Sequence, residues 1–256
     1  MTINPLTHHI ININNNVNLH ILELQEITDE IKSFIDSKIV NITNGTRKID
    51  LKIVKTKLKN FLASKKGSTT EMGAIAEFFI HLYLSTQEYK QECLFFNLEE
   101  NSIKKGFDGY YSKETLEWIM ESKSGLSSTK GISHKSKIKE AYDDLDNKLK
   151  GKVSNNPWEN AFRHADQKSV NTQQNIVTNI DNFSNEFELG IFKDIKDFNI
   201  IPTATIFLDG SWSNDIEKIK QEITTLISTL QYQKLEVICF TKKSLNIFLN
   251  YLNLED

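Results

Sequence analysis

The sequence is poor in cysteine, lacks the marks of export and carries none of the common nucleotide-binding fingerprints. Only two cysteines occur in 256 residues, Cys93 and Cys239, each inside an apolar run, ECLFF and VICF. Thiols in such settings read as reduced and buried, and they offer neither a disulfide framework nor a zinc pattern. The opening stretch MTINPLTHHIININNNVN has neither the basic start nor the apolar core of a signal peptide. No apolar run approaches the roughly 20 residues needed to span a bilayer, so a cytoplasmic protein without membrane contact is expected. No Walker-type loop, GxGxxG or G-X-S-X-G elbow is present, which removes the usual nucleotide-binding and serine-hydrolase readings. Positive charge is not in excess either: 31 Lys and Arg against 34 Asp and Glu leave a net charge of -3. Any contact with nucleic acid must then be local or shared with a partner.

What is present describes an ordinary globular domain. At 39% hydrophobic and 25% charged residues, the chain can bury a sizeable core. Residues 1 to 16 are Asn-rich and polar, fitting a flexible or edge segment. VNLHILEL reads as a strand, and TDEIKSFIDSKIV as a helix capped by Thr28. ECLFFNLEE reads as a short strand. In HKSKIKEAYDDLDNKLK, Ile138, Ala141, Tyr142, Leu145 and Leu149 mark an amphipathic helix. A helical stretch between about 151 and 200 includes a helix starting at Pro157. IIPTATIFLDG and KLEVICF read as strands, each followed by a helix. This order predicts an α/β or α+β domain with a central mixed sheet covered by helices.

One helix and one hairpin carry the chemistry. In GSTTEMGAIAEFFIHLYL, Ser68 and Glu71 form a capping box that starts a helix. Glu77 sits in the middle of that helix among Ile75, Ala76, Phe78, Phe79 and Ile80, where a carboxylate needs a cation or metal as partner. Gly73 and Ala74, one turn earlier, leave room on that side. Farther on lies GFDGYYSKETLEWIMESKSG. Acid-X-lysine alone means little, since the spacing recurs at Glu30, Asp50, Glu88, Asp146, Asp166 and Asp194. In the strand LEWIMESK, however, Glu117, Ile119, Glu121 and Lys123 point to one face. With a turn centred on Lys113 and Glu114, Asp108 lies opposite Ile119 and becomes the diagonal neighbour of Glu121 on that face. Gly106 and Gly109 flank Asp108, as glycines do where a ligand or another backbone comes close. Two such carboxylates suit Mg²⁺ (or Mn²⁺), which takes one or two of them together with waters and phosphate oxygens. Lys123 would orient or deprotonate the attacking water and steady developing charge, a set that fits phosphodiester hydrolysis. A hairpin bearing surface ion pairs is the plainer alternative.

Two groups of lysines could extend such a site. Lys55, Lys57 and Lys59 lie in a basic stretch from 49 to 66, where a solvated face and a phosphate-contacting surface both fit. Lys130, Lys135, Lys137 and Lys139 precede or open the helix after the hairpin and could meet phosphates there. His134 and His164 belong to no nucleophilic constellation and read as structural.

Glu77, Asp108, Glu121 and Lys123, in the order helix, strands, helix, strand, resemble the PD-(D/E)XK nuclease superfamily over about residues 67 to 208. Phe107 stands where the eponymous proline would be. More narrowly, the layout of the whole chain is similar to the nuclease subunit of Hachiman-type bacterial antiphage systems. The resemblance implies a restriction-endonuclease-like core with Asp108, Glu121 and Glu77 around the metal. It also implies DNA as substrate and a helicase or similar ATPase as partner. On this reading residues 1 to 66 form an N-terminal strand and helix segment packed on a nuclease domain at 67 to 256, with a helical insertion at about 151 to 200. The rival is a non-catalytic subunit that keeps a nuclease-like scaffold to bind DNA or clamp a partner.

Overall fold

Strand alternation sorts the apolar side chains into two layers, one on each face of a seven-stranded mixed sheet. A computed structural model describes residues 5–96, 106–208 and 212–253. Along the chain run β1 (Thr7–Asn14), β2 (Val17–Leu24), α1 (Asp29–Asn44), α2 (Leu51–Ser64), α3 (Thr69–Leu84), β3 (Lys90–Gln91), β4 (Gly109–Lys113) and β5 (Leu116–Leu126). There follow α4 (His134–Leu149), α5 (Pro157–Ala165), α6 (Gln174–Glu188), β6 (Asn199–Phe207), α7 (Ile216–Ile227), β7 (Lys234–Lys242) and α8 (Asn246–Asn253). The strand order is β1-β2-β7-β6-β5-β4-β3. The neighbouring pairs among β2, β7, β6 and β5 are parallel, and antiparallel pairs close both ends. The mixed α/β fold expected from the element order is therefore present. The polar Asn-rich segment supplies β1, the edge strand beside β2.

One core lies between the sheet and α1, α2, α3 and α8, and takes up Trp118, Met120, Ile201 and Phe240 from the strands. The other lies between the sheet and α4 through α7, and takes up Ile119, Ile200, Ala204 and Cys239. Helix starts follow the side chains available for capping. Ser68 Oγ accepts from the Glu71 N–H at 3.2 Å. The Glu71 carboxylate accepts from Gly67 N at 2.7 Å rather than from the cap residue itself, so the box closes one residue early. Asp50 caps α2 by accepting from Lys52 N, which makes the basic stretch a helix.

Two expectations need correction. Of ECLFFNLEE, Glu92–Phe96 form no strand, and 97 to 100 lie outside the described residues. The backbone of this run is satisfied elsewhere: Phe95 N donates to Ile42 O at 3.1 Å and Leu94 N to His164 Nδ1 at 3.1 Å, so it needs no ladder. The hairpin turn is the second. Lys113 pairs with Leu116, and Tyr110 with Ile119, so the turn is centred one residue later than expected, with Glu114 at φ 55°. Pairing partners thereby shift by two positions, and an even shift keeps every side chain on its face. Continued by one step past Gly109–Met120, this register sets Asp108 directly across from Glu121.

Candidate active site

β5 is the spine of the site. On one side β4 brings Asp108 across from Glu121; on the other Glu121 pairs with Pro202 of β6, in a parallel register that continues past Lys123–Ala204. Proline has no N–H to give a ladder, and the β6–β7 pairing lapses at Ile201 and Pro202 while the β5 side stays continuous. The backbone behind Glu121 is thus held, and the break falls on the far side of β6. Asp108 is fixed from the opposite strand, its Oδ2 accepting from Ser122 N at 2.9 Å. The flanking glycines serve packing. A Cβ at Gly106 would stand 2.8 Å from Pro157 O at the start of α5, and one at Gly109 would stand 2.5 Å from the Tyr111 ring.

Four charged groups interlock above this floor. Glu121 is almost fully enclosed, with its side chain 3% exposed. Its Oε1 accepts from Lys123 Nζ at 3.1 Å, and its Oε2 accepts a short bond from Lys148 on α4. Lys123 also donates a short bond to Asp144, whose side chain reaches solvent. Burial would lower the Lys123 amine, but the charges of Glu121 and Asp108 and the bonds to Asp144 and Glu121 outweigh it and raise it above its ordinary value. Lys123 is therefore a firm cation. The Asp108 carboxyl moves the other way: burial, Glu121 and Glu77 push it up to about 7, opposed by Lys148 and the Ser122 N–H.

Glu77 reaches this field from α3, on the other face of the sheet. Its Oε1 lies 3.1 Å from His81 Nε2, one helical turn on, and His81 Nδ1 meets the Tyr111 hydroxyl in a short hydrogen bond. With the proton on Nε2, His81 donates to Glu77 and accepts from Tyr111. The partner that a carboxylate in an apolar helix requires is thus at least partly a histidine, while Glu77 still acts on Asp108 through its charge. A Cβ at Gly73, one turn before, would meet nothing within 4 Å, so that side is open as the sequence suggests.

The lysines divide. Lys55 is turned inward: it is 4% exposed, ion-paired with Asp36 at 2.8 Å and seated 4.8 Å over the Tyr251 ring, which removes it from any phosphate-facing surface. Lys57 is exposed and Lys59 partly so on the same helix. Lys130 and Lys135 are exposed near the start of α4, Lys137 pairs with Glu140 at 2.7 Å and Lys139 with Asp143 at 2.5 Å. α4 runs back along β5, so Lys135 lies ~20 Å along the helix from Lys148, at 1.5 Å per residue. His134 and His164 are buried. His134 Nε2 bonds to Thr241 Oγ1 at 3.0 Å, and burial outweighs a backbone hydrogen bond to bring its pKa down to about 4, so it is a neutral structural ring.

Asp144 and Lys148 are the site members that the motif did not name. A signal existed, because with Ala141 and Leu145 they form an i, i+3, i+4, i+7 stripe on the face that meets the sheet.

Among the described residues no three His, Cys, Asp or Glu side chains form a metal-binding group by themselves. The donor chemistry nevertheless suits Mg²⁺ or Mn²⁺. Asp108, just before β4, and Glu121 on β5 are hard oxygen donors, and burial, with the charges of Glu121 and Glu77 added, holds a proton on Asp108 up to about pH 7. Such an ion completes its shell with waters and phosphate oxygens, so two carboxylates suffice.

The family model described as HamA matches residues 2–253. The chain belongs to the HamA family, and so to the Hachiman-type antiphage defence proteins, in which it has an effector role. No curated protein matches it. Among the described residues no helix is long and apolar enough to cross a membrane.

Proposed function

We propose that this chain is a PD-(D/E)XK-type nuclease that uses a divalent cation to hydrolyse phosphodiester bonds of DNA. The observation that carries the reading is the β4–β5 register, which ends at Gly109–Met120 and, continued one step, sets Asp108 across from Glu121, with Lys123 two residues farther on the same face. Asp108 and Glu121 would hold Mg²⁺ or Mn²⁺, which when bound polarises the phosphate and a water. Glu77 contributes charge from behind Asp108. Lys123 is kept protonated by its carboxylate neighbours in the cation-free site, so it is not cast as the base. Its ammonium instead orients the water and faces the charge that develops on the phosphoryl oxygens. Asp144 holds that ammonium toward the solvent-facing side, where a strand would lie. Lys130 and Lys135, with Lys57 and Lys59 on the other helix, would contact phosphates farther out.

Membership in a Hachiman-type defence family supports one more part of the reading, a helicase or similar ATPase that brings DNA to the nuclease or restrains it. The modest negative charge of the chain suits a subunit that relies on a partner for much of its hold on DNA.

Plasmid cleavage tests the reading, with Mg²⁺, Mn²⁺ or EDTA, by the wild type and by the variants Asp108→Asn and Lys123→Ala, alone and with the neighbouring gene product. Cation-dependent cleavage that both substitutions abolish is expected. Cleavage that survives them would sink the site assignment. No cleavage under any condition would leave the chain as a non-catalytic subunit on a nuclease-like scaffold.

A further inference from the structure

Lys148 stands apart from the other lysines around the site. It extends from the last turn of α4 to Glu121 Oε2, and among the described residues Glu121 is its one ion-pair partner. Its charge also draws on Asp108, against the carboxylates crowding that group. One ammonium thus serves both acids. Lys123 is placed differently, since on leaving Glu121 it would still have Asp144. The helix under Lys148 is fixed, with Leu145 and Leu149 fully buried, so the ammonium can move only on its own flexible four-carbon stem.

An enclosed carboxylate must be compensated at all times. A divalent ion on Glu121 would do this, but it could not share Oε2 with an ammonium without strong like-charge repulsion. We propose that Lys148 is an exchangeable counter-ion: it neutralises Glu121 while the site holds no divalent cation, and swings off toward the DNA phosphates when one arrives. The inference rests on the metal-dependent reading above and adds a brake to it, because the cation must displace Lys148 to enter. Lys148 is in this sense a positioning residue whose first effect is on ion affinity.

Calorimetric titration with Mn²⁺ tests the inference on the full chain without nucleic acid, alongside thermal unfolding in EDTA and in saturating Mn²⁺. The variants are Lys148→Met, Lys148→Gln, Lys148→Arg and Asp108→Asn. The two neutral variants are expected to bind Mn²⁺ at least about tenfold tighter than wild type, as loss of one nearby positive charge requires. They should unfold at a lower temperature in EDTA and recover in Mn²⁺, whereas Lys148→Arg should keep wild-type affinity. The glutamine variant keeps a hydrogen-bond donor toward Glu121 and carries the test if the methionine variant does not fold. Unchanged or weaker Mn²⁺ binding in the neutral variants, with binding lost in Asp108→Asn, would overturn the counter-ion role alone. If Asp108→Asn binds like wild type, or no protein binds Mn²⁺, the metal site falls and the inference falls with it.

Discussion

Lys123 and Lys242, on opposite faces of the sheet, meet opposite surroundings. On the α4 face Lys123 lies between Glu121 and Asp144, and its proton is held more firmly than in water. On the α3 and α8 face Lys242, at the end of β7, is fully buried and its Nζ has no hydrogen-bond partner among the described residues. It sits 3.2 Å over the Phe79 ring, with Phe207, Phe240 and Phe248 within 6 Å. Burial there drives its pKa well below the ordinary lysine value. Desolvation acts against the charge in both places. What decides the outcome is whether an acid is within reach, because aromatic faces attract a cation by only ~2 kcal/mol or so, even when desolvated. The charge of Lys123 is compensated; that of Lys242 would be a cost to the fold.

Removing each lysine separates the two cases, and the largest effect belongs to the first. Lys123→Met should reduce DNA cleavage by a factor of roughly 10² to 10³, the usual loss when one group that faces developing charge is deleted. In EDTA its melting temperature should also fall, since Glu121 and Asp144 lose an ammonium partner. Lys242→Met should raise the melting temperature instead. Relief of a buried amine without an acceptor is worth ~1–3 kcal/mol, or several degrees in a chain of this size at ~2–4 °C per kcal/mol, with cleavage unchanged. The pH dependence has a definite sign. A lysine whose folded pKa is depressed binds fewer protons in the native state than in the unfolded one, so its contribution is complete above the unfolded value of ~10.4 and is lost as pH falls below it. Wild-type stability measured by denaturant titration should therefore rise toward alkaline pH by more than that of Lys242→Met. Equal slopes would show that Lys242 is charged in its aromatic cage.

The same contrast explains what the sequence made legible. Asp108, Glu121 and Lys123 could be placed on one face because strand parity is local, and it survived a turn displaced by one residue since partners then shift by two. Glu77 was legible as an acid in an apolar helix, but not its partner His81, although i, i+4 spacing joins them. Asp144 and Lys148 were hidden for another reason. Which strand a helix returns along, and at what offset, is set by packing between distant segments and not by the pattern of the helix itself. Lys242 is the extreme case: beside Lys243 in TKKSLN it looks like surface charge, and the rings that bury it come from α3, β6 and α8. In ECLFF the apolar, β-prone run is largely buried, as its composition predicts, but forms no strand, because α1 and His164 take its backbone hydrogen bonds.

A smaller effect sharpens the comparison on the α4 face. Asp108, raised to about 7, binds more protons in the cation-free native state than in the unfolded chain between about pH 4 and pH 7. Stability of the cation-free protein should then fall as pH rises through that window. Asp108→Asn keeps an acceptor for Ser122 N but removes the titration, so in EDTA at pH 7.5 it should melt a few degrees above wild type and flatten the decline from pH 5 to 7.5. Added Mn²⁺ should stabilise wild type and not the variant. A wild type whose EDTA melting temperature is level across that range would mean that Asp108 is not under the crowding inferred for it.

The smallest expected change concerns the lysines outside both cores. Lys135 at the start of α4 is exposed, so if it contacts phosphate, Lys135→Gln should weaken DNA binding modestly and uniformly across sequences. The slope of log affinity against log salt should drop by about 1, as loss of one phosphate contact requires. Stability should stay within ~0.5 kcal/mol of wild type. Lys55 provides the control. It belongs to the same basic sequence class, but its ammonium is committed to Asp36 and the Tyr251 ring. Lys55→Gln should leave the salt slope alone and lower the melting temperature, since Asp36 loses its counter-ion and α8 loses part of its seat on α1 and α2. Salt-slope and melting measurements on the two variants would therefore give opposite patterns. A salt slope that falls for Lys55→Gln would mean that α2 turns this side chain outward to meet DNA.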